Sequence, residues 1–227
     1  MKYRWIKYRY ISNDRKEDYL KDDIRGRLYL PKWNELNDPM EGVFRYYKES
    51  EFSPVNEIVK KIVSEKSNYR IKSFQHNYKN FPMWSYYANG HMGVCIGYEL
   101  SNLQFDDTIS FHNMTYADKL ELITKDNTNI ELSVEKILTT KLKCWERERE
   151  CRLLSKKSDI YMDFPVKQII FGMKCDRHFK EYVKCKAVEY NGFSDIEFRQ
   201  AAVALSSDDR PIIKAKRVSG LLASYKE

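Results

Sequence analysis

The sequence lacks several patterns that mark common classes of protein. Its five cysteines are odd in number and include no Cys-x-x-Cys pair, which argues against a disulfide framework or a zinc knuckle. The four histidines are scattered without the helical spacing of metal ligands, so we assign no metal site. No apolar run approaches the roughly eighteen residues of a membrane-spanning helix, and the N-terminus has no apolar signal-peptide region. We therefore expect a cytoplasmic protein with no membrane segment.

The composition that is present predicts a globular protein with an anionic partner. A hydrophobic fraction of 42% over 227 residues is enough to build a substantial core. Lysine and arginine together number 40 against 33 aspartates and glutamates, which gives a formal net charge of +7. This excess favours nucleic acid, a phosphate-bearing ligand or an acidic protein as a partner.

Helical and strand periodicities are interleaved along the chain. The alternation in "YRWIKYRYI", residues 3–11, predicts a strand, and the next segment predicts a helix that begins near Ser12 and ends at Gly26. "NIELSVEKILTTKLKCW", residues 129–145, predicts a longer helix capped near Ser133. Late in the chain we predict a short helix over residues 176–183 and a strand over "KCKAVEYNG", residues 184–192. With no repeat, low-complexity tract or long linker, residues 1–227 are predicted to form a single α+β domain.

The stretch "CWERERECRLLSKK", residues 144–157, alternates glutamate and arginine before it turns apolar. A solvated helix with glutamate–arginine pairs, or a charged strand edge, would explain it without any function. If a strand begins near Glu148, its period of two places Glu148, Glu150 and Arg152 on one face. Neighbouring carboxylates repel each other unless cations or ligand hydroxyls compensate, so such a cluster is easier to explain at a functional site. If the helix continues instead, Glu148 and Arg152 form an ordinary exposed pair.

A series of short motifs in a fixed order resembles a bacterial family of unknown function, DUF2971. The series is "KYRYI", "RLYLPKWNELNDPMEG", "MWSYYANGHMGVCIGYEL", "WERERECRL" and "IIFG", and it extends over nearly the whole chain. The family pattern has a KYR near the start, a strand leading to an NDP loop, a WSxYAxxHxGxCI block and a WxxExExR. The sequence departs from that pattern at "YLPKW" and at Tyr98, neither of which changes the charged positions.

The order of elements also resembles that of ADP-ribosyltransferases, which end on a late strand with Glu-x-Glu. This resemblance implies a mixed, mostly antiparallel split sheet flanked by helices. It further implies NAD as substrate, cleaved at the nicotinamide glycosidic bond through an oxocarbenium-like state that a carboxylate stabilises. The implied function is a toxin or phage-defence effector that modifies a macromolecule, with RNA or DNA favoured by the basic charge and protein as the other acceptor class.

The resemblance to the transferases assigns roles to particular residues. Glu150 becomes the catalytic carboxylate, Glu148 the residue on the acceptor side, and Arg152 the group that holds the pair. Arg9 is the candidate for the pyrophosphate or the adenosine ribose, because a guanidinium matches phosphate oxygens. The remaining candidates for NAD contact are the following: Tyr29, as a ring for nicotinamide, with Asn37, Tyr87 and His91.

Three other interpretations stay open at this point. An NAD glycohydrolase would use the same Glu150 with water as the acceptor. A metal-dependent nuclease would use Glu148 and Glu150, with Asp38 brought near by folding. A non-catalytic module that binds nucleic acid or protein would need no reactive carboxylate at all. An antitoxin that restrains a toxin is one further candidate partner.

Overall fold

The structure is a computed structural model that describes residues 6–47, 53–101, 107–192 and 196–218. Its strands are β1 (Ile6–Ile11), β2 (Arg27–Tyr29), β3 (Arg45–Tyr46), β4 (Arg70–Gln75), β5 (Val94–Glu99), β6 (Ile109–Asn113), β7 (Thr115–Ala117), β8 (Leu122–Ile123), β9 (Thr140–Leu142), β10 (Glu150–Ser155), β11 (Tyr161–Asp163), β12 (Val166–Phe171), β13 (Glu197–Leu205) and β14 (Pro211–Arg217). Its helices are α1 (Glu17–Arg25), α2 (Pro54–Lys66), α3 (Phe81–Tyr87), α4 (Ile130–Leu138) and α5 (Arg177–Asn191), with 3₁₀ helices at Trp33–Glu35 and Lys143–Glu148.

These elements confirm the predicted α+β class, in which most neighbouring strands are antiparallel. The first part of the predicted opening strand, residues 3–5, lies outside the described residues, and the rest of it is β1. Within the ranges given above, no helix combines the length and the apolar character needed to cross a membrane. The chain divides into two compact units, and the single domain over residues 1–227 stays a prediction.

Unit 1 consists of residues 1–28, 75–103 and 161–227. Five of its strands follow the order β14-β13-β12-β5-β1, in which β12 and β13 are parallel and the other neighbours antiparallel. Helices α1 and α5 pack together, and the Tyr182 hydroxyl donates a hydrogen bond to Glu17. A core cluster contains the fully buried Trp84, Cys95, Ile170 and Ile213.

Helix α5 replaces the strand predicted over residues 184–192. Its N-terminus is capped by Asp176, whose carboxylate accepts a hydrogen bond from the Phe179 N–H, and it ends at Gly192 with φ of 71°. Val183 and Ala187, four residues apart, are both fully buried. The apolar residues therefore follow a helical period past Val183, and the strand prediction was wrong because a short apolar stretch does not discriminate between the two periods.

Unit 2 consists of residues 29–74 and 104–160. Three strands follow the order β4-β10-β6, and β10 runs antiparallel to β6 with Cys151 opposite Asn113. Two short parallel pairs, β3 with β8 and β7 with β9, complete its strands in the described part of the chain. Helices α2 and α4 pack together, and their buried residues Ile62, Val134, Ile137 and Leu138 share a core with Leu154 of β10.

Helix α4 is shorter at both ends than the helix predicted over residues 129–145. It ends at Leu138 because two β-branched residues follow, and their hydroxyls donate to carbonyls of the last turn: Thr139 to the Glu135 oxygen at 2.8 Å and Thr140 to the Lys136 oxygen at 2.7 Å. The chain then enters β9, which carries Lys141. This early end of the helix decides where the Lys141 side chain lies.

The N-terminal cap of α4 is Asn129, not the predicted Ser133. The Asn129 side-chain oxygen accepts a hydrogen bond from the Leu132 N–H at 2.9 Å. Replacing Asn129 by alanine is therefore expected to lower the free energy of unfolding by about 1 kcal/mol, measured by urea denaturation. Asn129→Asp retains the acceptor and should stay close to wild type. An equal loss in both variants would contradict the capping role.

Candidate functional site

The glutamate–arginine stretch crosses a sharp change of backbone conformation. The second 3₁₀ helix ends at Glu148, and Arg149 then adopts left-handed angles, φ 50° and ψ 45°, before β10 begins at Glu150. A left-handed conformation in a residue other than glycine costs about 1–2 kcal/mol. It turns the chain so that Glu148 and Glu150 both reach the same Lys141 ammonium, at 2.8 and 2.6 Å.

Arg152 is the most deeply buried charged residue of this cluster, with 1% of its surface exposed. Its Nε donates to Glu150 Oε1 at 2.6 Å, and its two terminal nitrogens donate to Glu41, to Glu150 and to the Leu138 carbonyl. The contact with Glu41 is bidentate, at 2.8 and 2.5 Å. All five guanidinium N–H groups thus have acceptors, which is the condition for burying an arginine.

Lys141 is the second cation of the cluster. Its ammonium contacts carboxylate oxygens of Glu150, Glu148 and Glu41 at 2.6, 2.8 and 3.2 Å. Strand β9 holds it in place by pairing with β7, where Tyr116 lies beside Lys141. The Tyr116 hydroxyl in turn accepts a hydrogen bond from the Glu150 N–H at 2.8 Å. Two neighbouring strands therefore fix the cation and the start of β10 together.

Glu41 enters the cluster from the NDP loop. The Asp38 carboxylate and carbonyl accept hydrogen bonds from the N–H groups of Met40 and Glu41, which closes the turn. On the other side of Glu41, the carbonyl of Gly42 accepts a hydrogen bond from the buried Lys66 ammonium at 2.6 Å. That ammonium lies 3.6 Å from the centre of the Trp33 ring, and burial lowers the pKa of Lys66 to about 8. The loop is thus held on both sides of Glu41.

The electrostatics of the cluster keep the Glu150 carboxylate charged. Burial raises the pKa of the Glu150 carboxyl, but Arg152 and Lys141 outweigh this effect and lower that pKa to about 2. Burial lowers the pKa of Lys141 and of Arg152, whereas the surrounding glutamates raise both pKa values above their ordinary range. Burial also raises the pKa of Tyr116, to about 12, so its hydroxyl is neutral near pH 7. Three carboxylates and two cations leave the five groups with a formal charge of −1.

The structure therefore brings Glu148, Glu150 and Arg152 together, and the alternation accounts for Glu150 and Arg152. The interpretation of the stretch as a solvated helix is wrong for these three residues, which are buried, and holds for Glu146, which is exposed. Glu148 reaches the cluster from a 3₁₀ helix, so the strand period applies to Glu150 and Arg152 alone. Sequence reasoning missed Lys141 and Glu41, although Glu41 lies in the same NDP loop as the candidates Asn37 and Asp38.

Two further predicted site residues also belong to unit 2. The Tyr29 hydroxyl, at the end of β2, donates to Glu35 Oε2 at 2.8 Å. This hydrogen bond and burial raise the pKa of Tyr29. Asn37 is an exposed residue of the NDP loop, four residues before Glu41. Their roles as ligand contacts stay predictions.

The remaining predicted residues belong to unit 1. Arg9 on β1 donates to Asp23 at 2.6 Å, and Arg15 pairs with the same carboxylate. Tyr87, the last residue of α3, packs against the core of unit 1. His91 has φ of 72° and stacks on Trp84 with ring centres 5.7 Å apart, and burial lowers the pKa of its imidazole. Their approach to NAD also stays a prediction.

Two of the motifs quoted above fall within a family match. Residues 83–153 match the model of a protein family of unknown function, DUF2971. The match covers 71 of the 227 residues, just under a third, and includes the Trp84 block together with Glu148, Glu150 and Arg152. The KYR, NDP and IIFG motifs lie outside it. The DUF2971 resemblance is thus supported over the segment that supplies most of the charged cluster.

No curated protein and no solved structure matches the chain. The resemblance to ADP-ribosyltransferases, which was based on the order of elements and the Glu-x-Glu motif, accordingly stays a prediction. Among residues 6–47, 53–101, 107–192 and 196–218, no group of three or more His, Cys, Asp or Glu side chains is placed to hold a metal ion. Where three glutamates do converge, the Lys141 ammonium lies between them.

Proposed function

We propose that the protein is an NAD-dependent ADP-ribosyltransferase-like enzyme that modifies a macromolecule, in the manner of a toxin or phage-defence effector. One observation carries this proposal: Glu150 is an ionised carboxylate, fixed by two cations within a buried cluster of formal charge −1. Stabilising an oxocarbenium-like ribose requires a carboxylate that is charged and held in place before the reaction begins.

The chemistry follows from the charge that develops on the ribose. The bond between the ribose C1′ and the nicotinamide nitrogen breaks, and its electron pair leaves with neutral nicotinamide. The ribose becomes positive, and the net negative charge around Glu150 stabilises it in a site of low dielectric constant. An acceptor nucleophile then forms a bond to C1′ and loses a proton, for which Glu148 is the proposed base or orienting group. Water in the place of that acceptor gives the glycohydrolase reaction.

The hydrogen bonds around Glu150 are compatible with a ribose ligand. Among the described residues, Oε1 of Glu150 accepts one hydrogen bond, from Arg152 Nε. A carboxylate oxygen can accept two, so Oε1 retains one acceptor position for a ribose hydroxyl. In this proposal the further contacts with NAD come from Tyr29 and Asn37, which belong to the same unit as Glu150.

The cluster gives less support to a metal-dependent nuclease. A divalent cation bound by Glu148 and Glu150 would have to displace Lys141, whose ammonium already contacts both carboxylates. Displacing it would leave an ammonium buried without its partners, which costs several kcal/mol. We therefore keep NAD as the proposed substrate.

The test is incubation of the purified protein with labelled NAD, cell RNA, DNA and cell protein, with free nicotinamide and labelled polymer detected separately. We expect wild type to release nicotinamide and Glu150→Gln to be slower by at least about 10²-fold, since glutamine cannot supply the charge. Glu146→Gln is the matched control, because Glu146 belongs to the same stretch but is exposed, and we expect it to behave as wild type.

The outcomes separate the interpretations. Labelled polymer identifies the class of acceptor, and nicotinamide without labelled polymer indicates hydrolysis. No nicotinamide from folded wild-type protein under any of these conditions would contradict the proposal and favour a non-catalytic binding module. An equal loss of turnover in Glu146→Gln would show that the charge of the whole stretch, and not Glu150, is what matters.

A further inference from the structure

Lys66 is a buried cation that no carboxylate compensates within the part of the chain that the structure describes. It is the last residue of α2 and keeps 4% of its surface exposed. Its ammonium donates to the Gly42 carbonyl at 2.6 Å and lies 3.6 Å from the centre of the Trp33 ring and 5.5 Å from that of Phe44. The two cations of the charged cluster, by contrast, each contact at least two carboxylates. Among the described residues, one carbonyl and two aromatic rings therefore balance the charge of Lys66.

This arrangement costs free energy that an apolar side chain would not cost. Removing an ammonium from water is unfavourable, and one carbonyl acceptor with cation–π contacts offsets that cost only in part. The pKa of Lys66, which burial lowers to about 8, expresses the same cost, since the folded protein holds the proton less tightly than the unfolded chain does. A methionine would fill much of the same space without a charge to desolvate. Stability alone therefore does not account for the ammonium.

The backbone that Lys66 contacts leads directly to the charged cluster. Gly42 has φ of 66°, and a Cβ atom there would lie 3.2 Å from the Trp33 ring and 3.4 Å from Cδ of Lys66. The loop backbone is thus packed closely against both the ring and the lysine side chain. Glu41, the preceding residue, makes the bidentate contact with Arg152. A fixed Gly42 carbonyl therefore limits where the Glu41 side chain can lie.

We propose that Lys66 is a positioning residue, whose ammonium holds the Gly42 carbonyl so that the Glu41 carboxylate stays on Arg152. Glu41 needs this support because it comes from a loop, whereas Glu150 and Arg152 share a strand. Its loss would change the charge of the cluster: two carboxylates would then face two cations, and the formal charge of −1 would become 0. On the proposed function, on which this last step alone rests, the ribose cation would lose the net negative charge that stabilises it.

The test is the coupling between Glu41 and Arg152, measured by urea denaturation of a double-mutant cycle of Glu41→Gln and Arg152→Met. The cycle is then repeated in a Lys66→Met background. We expect Lys66→Met itself to unfold at the same or a higher urea concentration than wild type, and the coupling, written as an equilibrium constant, to fall by at least about tenfold. The matched control is Lys61→Met, at an exposed lysine of the same helix, which should leave the coupling unchanged.

A second measurement uses the wild-type protein, so it does not depend on whether any variant folds. The pKa of Lys66, followed by NMR of the side-chain carbon next to the ammonium, is expected at about 8. A pKa at or above the ordinary 10.5 would overturn the proposal, because it would reveal an anion that compensates the charge. A Lys66→Met variant that loses stability and retains the full coupling would also overturn it, since Lys66 would then be an ordinary structural residue.

Positioning and turnover fail independently. If Lys66→Met lowers the coupling and folded wild type releases no nicotinamide from NAD, the proposed function fails and the positioning role stands. If wild type releases nicotinamide and Lys66→Met leaves both the coupling and the rate unchanged, the positioning role fails and the proposed function stands. Where both hold, Lys66→Met should lower the rate at saturating NAD by at least about tenfold, and Lys61→Met should keep the wild-type rate.

Discussion

Replacing Arg152 by methionine is expected to lower the free energy of unfolding by about 3–5 kcal/mol, measured by urea denaturation at neutral pH. Methionine fills much of the volume of the arginine side chain, so the loss comes from charge and not from a cavity. It leaves Glu41 and Glu150, which are 5% and 4% exposed, with Lys141 as their remaining cation. The substitution also removes all five N–H donors of the guanidinium group. One of these donors binds the Leu138 carbonyl at the end of α4.

The control is Arg147→Met, an identical substitution at an exposed position five residues earlier, for which we expect a change within about 0.5 kcal/mol. A second variant tests the cause. Combining Arg152→Met with Glu41→Gln should cost less than the sum of the single changes, because removing the carboxylate relieves the charge that Arg152→Met leaves unpaired. A loss below about 1 kcal/mol for Arg152→Met would show that the cluster contributes little to stability.

The convergence of Glu150 and Arg152 could be predicted from the sequence because it is local. Both residues lie on one strand, the apolar residues Leu153 and Leu154 identify that strand, and a strand of any curvature places alternate residues on one face. The position of Glu148 depends on a backbone feature that the sequence indicates less clearly. The left-handed turn at Arg149 brings it to Lys141, and arginine is not a residue whose identity signals that conformation.

The other two members of the cluster depend on tertiary structure. Glu41 and Arg152 are separated by 111 positions in the chain, so no local period relates them. Lys141 lies in the segment that was predicted to continue as a helix to residue 145, and in such a helix its side chain would point in a different direction. The end of α4 at Leu138 depends on the hydroxyls of Thr139 and Thr140, and such side-chain bonds to the backbone are weak signals in a sequence.

Acid is expected to destabilise the protein partly through Glu150. A carboxylate whose pKa falls from 4.5 in the unfolded chain to about 2 in the folded protein contributes about 3 kcal/mol to the free energy of unfolding at neutral pH. The sign follows from the direction of the shift: the unfolded chain binds the proton more readily, so protonation favours unfolding. The contribution is complete above about pH 5 and is lost as the pH falls towards about 2. By about pH 3 roughly 2 kcal/mol of it should be gone.

Urea denaturation between about pH 7 and about pH 3 measures this effect, with the pH dependence of wild type compared with that of Glu150→Gln. Glutamine does not titrate, so the variant should lose less stability than wild type over that range, by about 2 kcal/mol. Glu146→Gln removes an exposed carboxylate of the same stretch and should keep the wild-type dependence. Identical curves for wild type and Glu150→Gln would mean that Glu150 titrates normally in the folded protein. The carboxylate would still be charged near pH 7, but Arg152 and Lys141 would not hold it in the way that the proposed ribose chemistry requires.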